Sequence, residues 1–112
     1  MEMEVQESPD HPMKVILRGH LDTLAVGALE TRLTATVTQQ KQRVILDLAE
    51  LTFVGSLGLR MFIVLARTIG HKQGKVAFYN PQPQVKEVFE HAALTDILQI
   101  VDSYEDALAR VQ

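Results

Sequence analysis

The residues best placed to do chemistry are Ser56, in the run VGSLGLR from Val54 to Arg60, the histidines His11, His20, His71 and His91, and carboxylates such as Asp22 and Asp47. A serine between an apolar strand and an apolar helix has an ordinary role as N-cap, its oxygen accepting from an amide near Gly58 or Leu59. Capping leaves the flanking glycines unexplained. Gly58 falls in the first helical turn, where glycine costs roughly 1 kcal/mol relative to alanine. Either close packing against a sheet or a bare backbone open to a partner must justify it. Gly55 can adopt a positive φ for a sharp turn, and together the glycines leave the Ser56 hydroxyl at the surface.

An exposed hydroxyl at a helix start suggests a nucleophile, but the nucleophile elbow needs glycine two positions before the serine, and Val54 stands there. The histidines form no HExxH pattern and no acid pairing at metal-ligand spacing. Each reads as a surface or packing residue. No Lys-Ser or Lys-Thr follows the glycines and GxGxxG is absent, so a phosphate loop is not supported. The chain has no cysteine, which removes thiolate catalysis and Cys-based metal sites and suits a reducing compartment. No base is positioned for an enzyme, and no cofactor or metal is expected. What survives is a hydroxyl that is modified rather than one that attacks. A phosphate there meets free amides and the positive end of the helix dipole.

The elements that must hold this serine alternate as strand, strand, helix, strand, helix, strand, helix, strand, helix, the order of an α/β domain with mostly parallel strands. Residues 1–12 read as an edge strand and a turn at His11 and Pro12. Met13, Val15 and Leu17 alternate with Lys14, Ile16 and Arg18 in a strand that Gly19 ends. Val26, Leu29, Leu33 and Val37 recur at helical spacing, with Glu30, Arg32 and Gln39 on other faces and Asp22 or Thr23 as cap. Val44-Ile45-Leu46 reads as a central strand buried on both sides.

Glycines and cations in GHKQG close the serine helix, Lys75 to Tyr79 is a strand, and Asn80-Pro81 forms a junction before a helix with Val85, Val88 and Phe89 inside. Ile97 to Val101 is the last strand. Ser103 and Asp106 form a capping box for a helix with Tyr104, Ala107, Leu108 and Val111 on its apolar face. The expectation is one domain over 1–112, with a sheet of about five strands and about four helices mainly on one face.

The 112 residues carry a net charge of −3 with cations scattered singly, so no basic stripe invites nucleic acid. The acidic start MEMEVQESPD lacks the features of a signal peptide. The apolar run from Leu57 to Ile69, interrupted by Arg60 and Arg67, is too short to insert in a membrane. The expected location is cytoplasmic. The serine helix is apolar around much of its circumference, which leaves Leu57 and Met61 near its start as an exposed partner site and allows either a monomer or a weak homodimer.

Read in order, GHLD before the first helix, VILDLAELTFVGSLGLR, the turn in HKQGKVAFYN, and NPQPQVKEVFEHAALTDIL resemble the landmarks of the STAS domain, from about Val15 onward. That family includes bacterial anti-sigma factor antagonists. The resemblance implies a non-enzymatic binding module with a phosphorylatable serine at the start of the second helix, which by position is Ser56. In the antagonist branch an anti-sigma factor that is also a serine kinase phosphorylates this serine, a metal-dependent serine phosphatase reverses it, and the unphosphorylated form captures the kinase. The partner surface this implies comprises Gly55, Ser56, Leu57, Gly58, Arg60 and Met61, with His20 and Asp22 of the GHLD string.

Two departures stand out. The family pattern has an acid before the serine and a second hydroxyl after it, where this chain has Gly55 and Leu57. Ala93-Leu94 replaces the usual Gly-Leu. The missing acid fits a second expectation, a constitutive accessory subunit of a lipid-transporting ABC system or a sensory scaffold.

Overall fold

The computed structural model describes residues 1–37, 39 and 41–112. Among them the chain forms β1 (Glu2–Ser8), β2 (His11–Leu21), α1 (Thr23–Val37), β3 (Arg43–Asp47), β4 (Leu51–Val54), α2 (Ser56–His71), β5 (Lys75–Tyr79), α3 (Pro83–His91), β6 (Ile100–Val101) and α4 (Tyr104–Val111). The sheet runs β1-β2-β3-β5-β6, with β4 attached to the far end of β2. Only β1 is antiparallel to its neighbour. This is the α/β architecture expected from the alternation of patterns, with one strand more.

Strand β3 shows why two layers are needed. Val44 and Leu46 point into the main core with Val15, Leu17 and Phe78, whereas Ile45 joins Ala77 and Tyr79 on the opposite side. Side chains alternate across a strand, so a run of three branched residues must be covered twice. Helices α1, α2 and α3 cover the first face through Val26, Leu29, Leu33, Phe62, Val85 and Phe89. Helix α4 alone covers the second, inserting Ala107 and Val111.

Phe62 anchors the larger core, its ring 5.2 Å from that of Phe78 and 6.1 Å from that of Phe89. Offset and edge-on aromatic contacts of this kind add to simple burial. At the rim of the other face, Lys14 lies over the rings of Tyr104 and Tyr79, at 5.4 and 5.8 Å, and Tyr79 donates to Asp47 at 3.1 Å. Desolvation raises the Tyr79 phenol above its ordinary range.

Several boundaries differ from the sequence expectation. Gly19 does not end β2; it takes φ +111 at a register shift, and the strand continues to Leu21. That continuation creates the edge to which β4 pairs, so the residues just before Ser56 form a separate strand, the sixth, beyond the five expected. Helix α1 stops at Val37, which places Gln39 beyond it. Helix α3 begins at Pro83 rather than beside Pro81, with Asn80 at φ 59 turning the chain. The last strand keeps only Ile100 and Val101, because backbone bonds such as Leu98 N to Leu94 O and Ile100 N to Thr95 O fold 95–99 into turns.

Candidate functional site

Ser56 sits where β4 gives way to α2. The Leu21 carbonyl accepts from the Gly55 amide at 3.1 Å, and the Gly55 carbonyl accepts from the Leu59 amide at 3.0 Å. Gly55 is therefore the N-cap, extended at φ −92 and ψ 179. The expected positive φ at Gly55 is absent, and Ser56 is not the cap but the first residue inside the helix. A helix leaves its first amides without an internal partner, so those at Ser56, Leu57 and Gly58 face the outside of this turn. The Ser56 side chain is exposed and makes no hydrogen bond with any described residue.

Gly58 answers the question its position raised. A Cβ built there would meet Leu21 Cδ2 and Val54 Cγ2, both at 2.9 Å. Those two residues are buried at 0% and 3% exposure. The glycine lets the first turn of α2 press onto the ends of β2 and β4; it is a packing residue, buried rather than offered to a partner. Met61 is likewise buried, at 2% exposure. This corrects the expectation that it stays at the surface: positions 58, 61, 62, 65 and 69 form the inward stripe of α2, and Met61 falls on it.

Leu57 remains at the surface, 42% exposed, and Val64 two turns on is 44% exposed. With Arg60 they form one wall of a groove of about 470 Å³, opposite Thr23, Val26, Gly27 and Glu30 of α1. Arg60 is exposed. The expected surface is thus brought together in part: Gly55, Ser56, Leu57 and Arg60 lie along one edge, while Gly58 and Met61 lie beneath it.

His20 and Asp22 come to the same end of the sheet through β2, which pairs with β4 from Gly19 to Leu21. Asp22 caps α1, its Oδ1 accepting from the Ala25 amide at 2.9 Å. Thr52 donates its hydroxyl proton to the Gly19 carbonyl at 3.1 Å. Its oxygen can then only accept from His20 Nδ1, 2.7 Å away, which puts a proton on Nδ1 of that ring. The imidazole stacks on Phe53 at 5.4 Å between centroids. Phe53 was not singled out from sequence, yet it is 44% exposed and its ring lies 3.4 Å from where a side chain at Gly55 would begin. A phenylalanine two positions before Gly55, separated from the glycine-serine pair only by Val54, is the sequence signal that could have found it. The other histidines are exposed, with His91 3.9 Å from Glu87.

A family model described as the STAS domain matches residues 2–107. The chain belongs to this family. Among relatives of the STAS chain is BtrV of Bordetella bronchiseptica, a protein whose name assigns it provisionally to the anti-sigma factor antagonists. It is 33% identical over 93 residues, which cover 83% of this chain and 80% of BtrV. In fold the STAS chain is similar to a crystal structure of an anti-sigma factor antagonist from Mycobacterium paratuberculosis, with a TM-score of 0.85 and 22% identity over 98% of this chain and 92% of that one.

It is also similar to the anti-sigma factor antagonist SpoIIAA. The TM-score is 0.78 for its unphosphorylated form, with 22% identity over 97% of this chain and 95% of that one. For the phosphorylated Bacillus form the TM-score is 0.70, with 22% identity over 99% of this chain and 100% of that one. Among the described residues no helix is long and apolar enough to cross a membrane.

Proposed function

We propose that this protein is an anti-sigma factor antagonist: a non-enzymatic module that captures an anti-sigma factor serine kinase and is switched off when that kinase phosphorylates Ser56. The observation that carries the reading is the exposed Ser56 hydroxyl at the first turn of α2, rimmed by the exposed side chains of Phe53 and Leu57. A partner that fits against this apolar rim excludes water from the hydroxyl. A phosphate adds a charge of about −1.5 to −2 at that position, and burying it without a matching cation on the partner is strongly unfavourable. The position tolerates the modification in the free protein because it is solvated and faces unpaired amides. The name of BtrV and the fold shared with SpoIIAA support the same class of activity. A serine phosphatase resets the switch, and the site of action is the cytoplasm.

The test is to incubate the protein with its cognate kinase and ATP, map the modification by mass spectrometry and measure capture of the kinase. Modification at Ser56 alone, constitutive capture by Ser56→Ala and lost capture by Ser56→Glu are the expected results. Phosphate found elsewhere, or capture indifferent to Ser56→Glu, sinks the proposal.

A second reading is favoured by one observation, Gly55 in place of the acid of the family pattern. Without that carboxylate a kinase contact is lost, and the surface would serve as a permanent docking site on a transporter ATPase or a scaffold. A pull-down that recovers such an ATPase in place of a kinase supports this alternative. Gly55→Asp also separates the two. Its Cβ would begin 3.4 Å from the Phe53 ring, an ordinary contact, so the variant should fold. Faster phosphorylation of Ser56 in that variant is the outcome expected of a kinase substrate.

A further inference from the structure

We propose that Arg60 is the internal counter-ion of a phosphate on Ser56, an inference that rests on Ser56 being the modified residue and concerns what holds the modified state. Ser56 and Arg60 are the first and fifth residues of α2. Residues four apart on a helix share a face with Cβ atoms roughly 5–6 Å apart, and an acid N-terminal to a base is the favourable order. The guanidinium can therefore meet a phosphate across one helical turn and engage two of its oxygens at once.

Arg60 is free to do so. It is exposed, and it forms no ion pair or hydrogen bond with any described residue; the ion pairs of the fold fall on Lys14, Arg18, Lys86 and His91. The acids that could compete for it lie on or beside α1. Glu30 stands across the groove but makes no ion pair with Arg60, and Asp22 has one oxygen committed to the Ala25 amide. His20, the other titratable group at this end of the sheet, is tied to Thr52. Gly55 now has a second consequence: no carboxylate stands beside residue 56 to repel a dianion.

Phosphorylation then changes two surface features. The hydroxyl becomes an anion, and the arginine leaves the wall of the α1–α2 groove and folds back toward residue 56. A partner that reads the groove loses a cation from it at the same moment as it meets the phosphate.

The experiment uses the full chain with phosphoserine installed at position 56 during synthesis, so that no kinase is needed. Titration by ³¹P NMR should give a second phosphate pKa lower by about 0.2–0.4 of a unit in the chain with Arg60 than in Arg60→Gln. The difference should shrink at about 1 M salt, where the screening length falls to ~3 Å. Arg60→Lys should retain part of the shift, because it keeps the charge and loses the fork. Glu30→Gln should leave the shift intact or widen it.

Equal phosphate pKa values in the parent chain and Arg60→Gln overturn the proposal, as does a shift that Glu30→Gln abolishes. A protein that its kinase fails to modify would count against the switch proposed above. The titration of the synthetic phosphoprotein decides separately for Arg60.

Discussion

Two helical glycines should respond to alanine with opposite signs, and the difference can be worked out from their surroundings. At Gly58 the new methyl would lie 2.9 Å from Leu21 Cδ2 and Val54 Cγ2, and neither side chain can retreat, because both are buried. Overpacking of this kind costs about 1–3 kcal/mol, against which the better helix propensity of alanine returns about 1 kcal/mol. The net expectation is a loss of about 1 kcal/mol, or a fall in Tm of about 4 °C for a chain of this size. At Gly27 no atom lies within 4 Å of the built Cβ. Only the propensity term remains, so Gly27→Ala should stabilise by about 0.5–1 kcal/mol and raise Tm by about 2–4 °C. Thermal unfolding followed by circular dichroism, with urea midpoints as a second measure, reads both. A Gly58→Ala variant that gains as much stability as Gly27→Ala would refute the packing role assigned to Gly58.

Other outcomes follow from the same contacts. Ser103 Oγ accepts from the Asp106 amide at 3.1 Å, so Ser103→Ala should cost about 1 kcal/mol and Ser103→Asp should retain the cap; equal Tm values for all three proteins would contradict this. Phe62 is fully buried at 0% exposure, and Phe62→Ala should cost about 3–5 kcal/mol, read as a urea midpoint shifted far below that of the parent; a shift near zero would mean the ring is not the anchor of that core. The Glu4 carboxyl is held below its ordinary value of 4.5 by the hydrogen bond from Gln6 first and by Arg18 next. A depressed folded pKa stabilises above 4.5 and is lost as pH falls through the folded value. Glu4→Gln should therefore flatten the stability curve below about pH 4.5, and an unchanged slope in urea melts across that window would refute the assignment.

How much of this was legible in the sequence depended on how local the governing physics was. The inner face of α1 was plain, because Val26, Leu29, Leu33 and Val37 are all buried as their spacing demands. So was the capping of α4 by Ser103, which needs only residues three apart. The STAS landmarks could be read because they combine several such local signals in order. Strand β4 was not legible: its burial runs buried, exposed, exposed, buried, so no period of two marks it, and it exists because β2 runs on past Gly19. Met61 was misplaced for a related reason. On a helix with apolar residues on most sides, only the position of the sheet decides which of them are covered. The N-cap moved from Ser56 to Gly55 because the Leu21 carbonyl fixes the Gly55 amide, a tie between segments more than thirty positions apart.

That tie has a mechanical result. Leu21 pairs with Val54 in the sheet, holds the Gly55 amide through its carbonyl and fills the space under Gly58 with its side chain. A single buried residue thus rivets the chain on either side of the serine to the strand that carries His20. A binding protein that closes over this end of the molecule encounters a ledge already set in its final shape. Little ordering remains to be done at docking, so speed of capture is governed by diffusion and surface charge, and under the proposed switch discrimination between the two states of the serine rests on local side-chain chemistry, that of Ser56 and of Arg60 one helical turn on, rather than on a change of backbone shape.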